Sequence, residues 1–287
     1  MAVTEKNKTQ ASTLYLVATP IGNLADLSER AIKVLSEVDF IAAEDTRNSA
    51  HLLAYLGLQK PLVSYHEHNK RERGEEICGR LAAGESCALV TDAGTPAISD
   101  PGEDLVSLCA ARGIAVTSIP GCCAGITALT LSGLPTGRFC FEGFLSVSKP
   151  ERRKHLDALK TERRTMIFHE APHKLKTTLA DLCETFGGDR RISLCRELTK
   201  LNEEVLRLTL AEAVAYYEEN APRGEYVLVV EGADETEGDD AFWTDLSIPD
   251  HVAHYVEQGM TKKDAIKAAA KDRGVPKNEV YQAVLDH

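Results

Sequence analysis

Short, continuous apolar runs alternate with helix-like segments through the first half of the chain. Leu14–Ala18, Phe40–Ala43 and Cys87–Val90 are such runs, and each precedes a segment with apolar residues at helical spacing. A parallel strand needs a crossover to reach its neighbour, and its two faces are usually covered by helices. The alternation therefore predicts an α/β fold with a mainly parallel sheet. Ser28 and Ser49 are the N-cap candidates for the first two helices.

The second half keeps the alternation with a more antiparallel pattern, which predicts a mixed sheet. We expect Phe139–Phe144 to close the first unit, since the pattern pauses directly after it. The composition then shifts to an acidic stretch, and a short helical module with Thr261 as an N-cap candidate follows. The predicted divisions are a disordered N-terminus 1–13, an α/β domain 14–145, a second α/β domain 146–232, an acidic linker 233–248 and a helix-turn-helix-like module 249–287.

Charge and composition limit the possible functions of the chain. Its net charge of −11 argues against indiscriminate binding of nucleic acid, but Lys149–Lys176 is rich in basic residues. No apolar run approaches the roughly 20 residues that span a bilayer, and the polar N-terminus lacks the apolar segment of a signal peptide. We therefore expect a cytoplasmic protein without a membrane partner. The 8 cysteines include no C-x-x-C pair, so we expect no metal site.

Three loops rich in glycine, proline and alanine follow strands in the first half. They read TPIGN, VTDAGTPAISDPG (Val90–Gly102) and IPGCCA. Neither G-x-G-x-x-G nor G-x-x-x-x-G-K-[ST] occurs, so the chain lacks the usual dinucleotide and P-loop signatures. Loops at the carboxyl ends of parallel strands lie together and bind ligands. The three loops predict a small-molecule site with contacts largely to backbone.

The same stretches carry a resemblance to a known family. LYLVATPIGNLADLSERA, AAEDTR, HEHN, VTDAGTPAISDPG, GLP-x-x-RF, RELTK and GEYVLVVEG are similar to segments of the tetrapyrrole methylase family. Within that family they resemble the branch that 2′-O-methylates a decoding-centre cytidine of bacterial 16S ribosomal RNA. The resemblance extends over nearly the whole chain. It implies two α/β domains, S-adenosylmethionine bound in the cleft between them, and a homodimer.

The resemblance also implies which residues bind the cofactor. In the related methylases, equivalent loops contact it from the first domain, and two strand ends contact it from the second. Cys122-Cys123 replaces the Pro-Ser of some members, which puts only side-chain bonds at that position in doubt. The cofactor residues implied here are Pro20, Gly22, Gly94, Thr95, Pro96, Ile98, Ser99, Gly121, Cys123, Ala124, Glu170 and Glu225.

Methyl transfer to a ribose hydroxyl would need a base and groups that hold RNA. Glu44 and Asp45 are the candidate bases and Arg47 a candidate phosphate ligand, although a helix N-terminal carboxylate paired with arginine would give the same pattern. The two histidines of HEHN allow a substrate contact, a polar loop or, less readily, a metal site. The candidate substrate-binding residues are His66, Asn69, Arg152, Arg153, Arg164, Arg196, Glu197 and Lys200, with an ion pair at a strand end as the alternative for the last three.

Three functions remain open at this point. The first is ribose methylation of 16S ribosomal RNA, within the small ribosomal subunit. The second is methylation of a small tetrapyrrole precursor, which would need neither the basic stretch nor the terminal helices. The third is a non-catalytic RNA-binding assembly factor, which would bind no S-adenosylmethionine.

Overall fold

The computed structural model describes residues 8–234, 243 and 246–285. Its strands are β1 Thr13–Val17, β2 Phe40–Ala43, β3 Leu62–Ser64, β4 Cys87–Val90, β5 Ala115–Ile119, β6 Phe139–Phe144, β7 Thr165–Glu170, β8 Arg191–Arg196, β9 Glu204–Thr209 and β10 Tyr226–Val230. Its helices are α1 Glu29–Glu37, α2 Thr46–Tyr55, α3 Lys70–Ala82, α4 Gly102–Ala111, α5 Ala124–Ser132, α6 Lys149–Ala158, α7 Leu175–Phe186, α8 Leu210–Glu219, α9 Ile248–Glu257, α10 Lys262–Asp272 and α11 Lys277–Leu285.

The first sheet is entirely parallel, with strand order β3-β2-β4-β1-β5. Strands β2 and β4 are buried at every residue because helices cover both faces. One face packs residues such as Val17 and Ile41 against α1 and α2, and the other packs Phe40 and Leu89 against α3 and α4. All five strands therefore end at one edge, where the three glycine-rich and proline-rich loops begin.

The second sheet is mixed, with strand order β6-β7-β10-β8-β9. Only β6 and β7 are parallel, and the other neighbours are antiparallel. One face packs against α7 and α8 through residues such as Leu179 and Leu210. The predicted α/β fold with a parallel first sheet and a mixed second sheet is confirmed.

The other face of the second sheet is covered by α5, a helix that comes from the first half of the sequence. Ala128 and Leu129 of α5 pack against Ile167, Cys195 and Val229 of the sheet. Strand β6 also joins this sheet. The expectation that Phe139–Phe144 closes the first unit is therefore wrong, because the chain crosses to the second sheet at α5, ahead of the expected boundary at residues 145 and 146.

Helix caps agree with the sequence at two of three positions. The Ser28 side chain accepts a hydrogen bond from the N–H of Ala31, 3.1 Å away, and Thr261 caps α10. The prediction that Ser49 caps the second helix is wrong, because α2 begins earlier and Asp45 is its N-cap. An aspartate oxygen satisfies the free N–H groups of a first turn as well as serine does.

The chain divides into two compact units. The first holds both sheets and comprises residues up to 160 and 164–231; the second comprises 161–163 and the residues from 232 onward. In the second, α9, α10 and α11 enclose a small core that includes Val252, Ala265 and Val280. No helix of the described residues is both long and apolar enough to cross a membrane.

Parts of three predicted segments lie outside the described residues. These are residues 1–7 of the expected disordered N-terminus, residues 235–242, 244 and 245 of the expected acidic linker, and residues 286 and 287 of the expected helix-turn-helix-like module. Residues 8–13 are held in place: the Thr9 hydroxyl donates to Glu37 (2.6 Å), and Thr13 begins β1. The expectation of disorder is therefore wrong for residues 8–13.

Candidate active site

A pocket of about 440 Å³ opens where the carboxyl-edge loops of the first sheet meet the second sheet. This is within the usual size range of small-molecule sites. Its walls are mostly apolar and aromatic, with a few polar groups. They are formed by Ile21, Ala93, Gly94, Thr95, Ile98, Cys123, Ala124, Gly125, Ile126, Phe139, Phe141, Phe144, Ile167, His169, Glu170, Ala171, Cys195, Glu197, Leu198, Lys200, Glu225, Tyr226 and Val227.

The long loop after β4 is fixed by its own hydrogen bonds and by the loop after β1. Gly94 exchanges two backbone hydrogen bonds with Thr19, at 2.9 and 3.0 Å, in an isolated antiparallel bridge. The φ of Gly94 is +87°, a conformation that favours glycine. The Asp100 carboxylate accepts hydrogen bonds from the backbone N–H groups of Ala97, Ile98 and Gly102. The loop is therefore preorganised.

The loop after β5 packs closely on the other two. A Cβ placed on Gly121 would lie 2.8 Å from the Cβ of Ala18, so only glycine fits there without movement. The Thr95 hydroxyl donates to the carbonyl oxygen of Cys122 at 2.8 Å. Directly after this contact, α5 begins and carries Cys123 and Ala124 into the pocket wall. The three predicted loops are therefore brought together.

Backbone strain is concentrated around the pocket. Five described non-glycine residues have positive φ, and four of them lie in two loops that border it: Ala97, Ser99, Glu197 and Thr199. Such conformations cost about 1–3 kcal/mol each and persist only where the surroundings hold them. Their placement supports a ligand-binding role for these loops.

His169 is a half-buried pocket residue that the sequence did not single out. It lies in β7 between the rings of Phe141 and Phe144, with centroids 5.3 and 5.4 Å away in edge-to-face geometry. Its Nε2 atom is buried and has no hydrogen-bond partner among the described residues. Burial lowers the pKa of His169, so the ring is neutral near pH 7. A neutral ring nitrogen lining the pocket can bond to a ligand.

Lys200 connects two carboxylates at the pocket wall. Its Nζ lies 2.9 Å from Glu197 Oε1 and 2.8 Å from Glu225 Oε2. Hydrogen bonding to Glu225 raises the pKa of Lys200, and the bond from Lys200 lowers the pKa of Glu197. A Cβ on Gly22 would lie 2.4 Å from the Cγ of Lys200. Gly22 therefore allows the loop after β1 to contact the loop that holds this lysine.

The residues proposed for catalysis lie at the same sheet edge but do not line the pocket. Asp45 accepts hydrogen bonds from the Arg47 backbone N–H (2.8 Å) and its guanidinium (2.6 Å). The Arg47 side chain lowers the pKa of Asp45 to about 2, which makes Asp45 a weak base near pH 7. Glu44 is half-buried and accepts a hydrogen bond from the Thr91 hydroxyl at 2.9 Å. Of the two carboxylates, Glu44 is the better candidate base.

His66 and Asn69 form a local turn. Asn69 accepts a hydrogen bond from the His66 N–H at 2.8 Å and donates to the Ser64 carbonyl at 3.2 Å. Neither residue lines the pocket. The described residues contain no group of three or more His, Cys, Asp or Glu side chains that could hold a metal ion.

The arginines predicted to bind substrate differ in their surroundings. Arg152 is buried, with its Nε 2.6 Å from Asp181 Oδ2 and its Nη1 3.0 Å from the Ser146 carbonyl oxygen. This leaves almost no surface for RNA, so the prediction for Arg152 is corrected to a structural role. Arg153 is exposed beside Glu184, Arg164 is half-buried, and Arg196 pairs with Glu204 at 3.3 Å.

About half of the predicted cofactor residues line the pocket: Gly94, Thr95, Ile98, Cys123, Ala124, Glu170 and Glu225. Five others lie outside its lining, namely Pro20, Gly22, Pro96, Ser99 and Gly121. Gly22 and Gly121 nevertheless permit the close loop contacts that shape it. Glu197 and Lys200, predicted to bind RNA, line the pocket instead. The individual binding roles remain predictions.

The fold is α/β, and the pocket between its two sheets has the size of a small-molecule site. A family model described as Tetrapyrrole (Corrin/Porphyrin) Methylases matches residues 13–214. The chain therefore belongs to the tetrapyrrole methylase family, as the sequence resemblance implied, and its cofactor is S-adenosylmethionine. Its activity class is methyl transfer.

The similar proteins fall into two groups. Proteins of Halalkalibacterium halodurans and Bacillus subtilis, each called ribosomal RNA small subunit methyltransferase I, are 51% and 48% identical to this chain. The matches cover 94% and 96% of this chain and 93% and 95% of those proteins. Two solved structures share the fold: uroporphyrin-III-C-methyltransferase from Thermus thermophilus (TM-score 0.55, 20% identity) and diphthine synthase (TM-score 0.57, 14% identity). Each covers 77% of this chain, and the matches cover 94% and 90% of those chains.

The residues of the pocket fit S-adenosylmethionine. Apolar and aromatic walls suit the purine and the thioether carbons. The buried Nε2 of His169 has no hydrogen-bond partner among the described residues, and a bound ligand could supply one. Glu197, Lys200 and Glu225 place both signs of charge in the lining, which suits the ammonium and carboxylate of an amino-acid moiety.

Proposed function

We propose that this protein uses S-adenosylmethionine to methylate a ribose 2′-hydroxyl in 16S ribosomal RNA, at a decoding-centre cytidine. The observation that carries the proposal is the extent of similarity to the two groups of relatives. The ribosomal RNA methyltransferases match 94% or more of the chain, whereas the two solved structures of the fold cover 77%. The family model ends at residue 214, so the helices near the C-terminus favour the RNA-modifying relatives over a methylase of a small tetrapyrrole.

The chemistry of this reaction assigns tasks to residues of the chain. When bound, S-adenosylmethionine supplies an electrophilic methyl group. The preorganised loops that contain Gly94 and Cys123 would hold the donor in one orientation, as an in-line displacement requires. The phenylalanines of β6 would exclude water. Glu44 would accept the hydroxyl proton, and Arg47 would hold a neighbouring phosphate.

The natural substrate is proposed to be the small ribosomal subunit or its RNA, in the cytoplasm. We also propose a homodimer. It is supported by exposed apolar side chains along β6, which is an edge strand, and just beyond it: Phe139, Phe144 and Val147 are 40%, 57% and 76% exposed. Such a group suits contact with a second copy. Sedimentation of the wild type as a monomer at micromolar concentration would contradict the dimer.

The decisive experiment is to map ribose methylation of 16S ribosomal RNA from cells with and without this gene. A 2′-O-methyl group stops reverse transcription at low nucleotide concentration and protects the adjacent phosphodiester from alkali. We expect one decoding-centre cytidine to lose both signals in the deletion strain. The purified protein with S-adenosylmethionine should restore them on small subunits from that strain. An unchanged methylation pattern would refute the proposal.

Two further measurements separate the alternatives. Calorimetry with S-adenosylhomocysteine should show binding, whereas no binding would favour a non-catalytic assembly factor. Methyl transfer to a tetrapyrrole precursor, with none to small subunits, would favour the small-molecule methylase.

A further inference from the structure

A second cavity lies within the C-terminal unit, between α10 and α11. Its volume is about 460 Å³. We call it the α10–α11 groove, and it is lined by Lys262, Lys263, Ile266, Lys277, Tyr281, Val284 and Leu285. The groove combines three cationic side chains with an apolar floor and one aromatic ring. None of its residues lines the cofactor pocket.

The groove borders the core of the helical unit and opens to solvent on its other side. Ile266 is 4% exposed and belongs to the core that holds the helices together. In contrast, Tyr281 is 49% exposed and Leu285 57% exposed. The ring of Tyr281 therefore offers surface for stacking, while the core contacts of Ile266 and Val280 fix the helices that carry the groove.

The lysines of the groove have no ion-pair partner among the described residues, although the chain as a whole carries a charge of −11. The nearest acid in sequence to the first two, Asp264, is engaged in the cap of α10, where its carboxylate lies 2.7 Å from the Thr261 hydroxyl. Glu279 lies in the first turn of α11, beside Lys277 in sequence. The groove thus presents three cations in the helical span 248–285, where 6 Lys and Arg residues accompany 5 Asp and Glu residues.

We propose that the α10–α11 groove binds a single-stranded segment of RNA, with phosphates on the lysines and a base stacked on Tyr281. Spaced cations beside a half-exposed aromatic ring are the combination that single-stranded nucleic acid requires. The cavity has room for one or two bases and is too small to enclose a duplex. The identity of the RNA rests on the proposed function, since a ribosomal RNA substrate would supply this segment.

The test uses the full-length protein and a fluorescein-labelled oligouridylate of roughly 12 nucleotides. The matched pair of variants, both in α10, is Lys262→Gln with Lys263→Gln, against Lys267→Gln with Lys271→Gln outside the groove. Each phosphate contact contributes about 0.7 to the slope of log affinity against log salt for single strands. We expect the groove variant to reduce that slope by about 1.4 and the affinity at about 0.15 M salt roughly tenfold. The control variant should leave the slope unchanged and should alter the affinity by no more than about twofold.

Tyr281→Leu tests the stacking contact separately. It keeps an apolar side chain and should weaken binding about fivefold or more at every salt concentration, because loss of stacking is independent of counterions. Circular dichroism melting identifies any variant whose helical unit is unfolded. The lysine pair then decides the outcome, because its exposed side chains contribute little to folding.

Three results would overturn the groove proposal: equal binding by the groove variant and the control, tighter binding of duplex than of single-stranded RNA, or efficient competition by a polyglutamate peptide. Calorimetry with S-adenosylhomocysteine and methylation of small subunits are measured on the same variants. If wild type methylates 16S ribosomal RNA while the groove variants bind normally, the groove proposal fails and the proposed function stands. If no methylation occurs but the lysine dependence is seen, the proposed function fails and the groove stands.

Discussion

Replacing Arg152 by alanine should test whether this arginine supports the fold or contacts RNA. Its side chain is 10% exposed, and that of its partner Asp181 is 21% exposed. The guanidinium also holds the turn before α6, through hydrogen bonds to the carbonyl oxygens of Ser146 (3.0 Å) and Val147 (3.4 Å). Arg152→Ala removes all these bonds and leaves a carboxylate without its partner.

The expected loss of stability follows from this burial. Removing one member of a buried ion pair typically costs about 3–5 kcal/mol, because the remaining charge is uncompensated. For a unit of this size, each kcal/mol lowers the melting temperature by about 2–4 °C. Arg152→Ala should therefore lower it by at least about 6 °C.

The neighbouring residue provides a control. Arg153 pairs with Glu184, but the two side chains are 56% and 62% exposed, and exposed pairs contribute about 0–1 kcal/mol. Arg153→Ala should therefore lower the melting temperature by no more than about 4 °C. Calorimetric melting of both variants and of wild type measures the difference.

The refuting result combines stability with binding. If Arg152→Ala melts within about 2 °C of wild type and loses affinity for small subunits at a temperature where it is folded, the residue contacts RNA. The assignment to a structural role would then be wrong. A stability loss with unchanged subunit affinity at low temperature is the expected outcome.

Three further substitutions, two of them paired with a comparison variant, test the site. Glu44→Gln should slow methylation about a hundredfold. Asp45→Asn keeps the N-cap and should slow methylation much less, because the Arg47 side chain already lowers the pKa of Asp45 to about 2. Initial rates of methylation on small subunits compare the two variants. Gly22→Val should weaken binding of S-adenosylhomocysteine about tenfold, because its side chain would displace the lysine of the pocket, while Gly79→Ala, with open space around it, should not. Burial lowers the pKa of His169, so the unfolded chain takes up its proton more readily and stability should fall as pH drops below about 6.5. In His169→Phe the melting temperature should fall less as the pH drops below about 6.5. Above that pH, the melting temperatures of variant and wild type should change with pH in parallel.

The fold was predictable where a strand is buried on both faces, because such a strand has a continuous apolar sequence. β2 and β4 are buried at every residue, so their uninterrupted apolar runs identify them as inner parallel strands. The pairing partner of Phe139–Phe144 was not predictable in this way, because an apolar strand pattern does not specify which of two sheets it joins.

The candidate site was predictable from its backbone but not from its side chains. Glycine and proline mark loops that need special conformations, which located Gly94 and Gly121. Charged side chains were harder to assign, because charge alone does not reveal burial. For Arg152 one signal existed: it lies four residues before Leu156, and both face the core from α6. Alternating phenylalanines at 139 and 141 similarly indicated one apolar face toward the pocket.

The crossing of α5 onto the second sheet makes the two sheets interdependent in folding. Ala128 and Leu129 belong to the first half of the sequence, yet they complete the core around Val229. A polypeptide cut near residue 145 would leave one fragment with a bare sheet and the other with an unsupported helix. The two halves should therefore unfold in a single cooperative transition, and the pocket between them should be lost in that same transition.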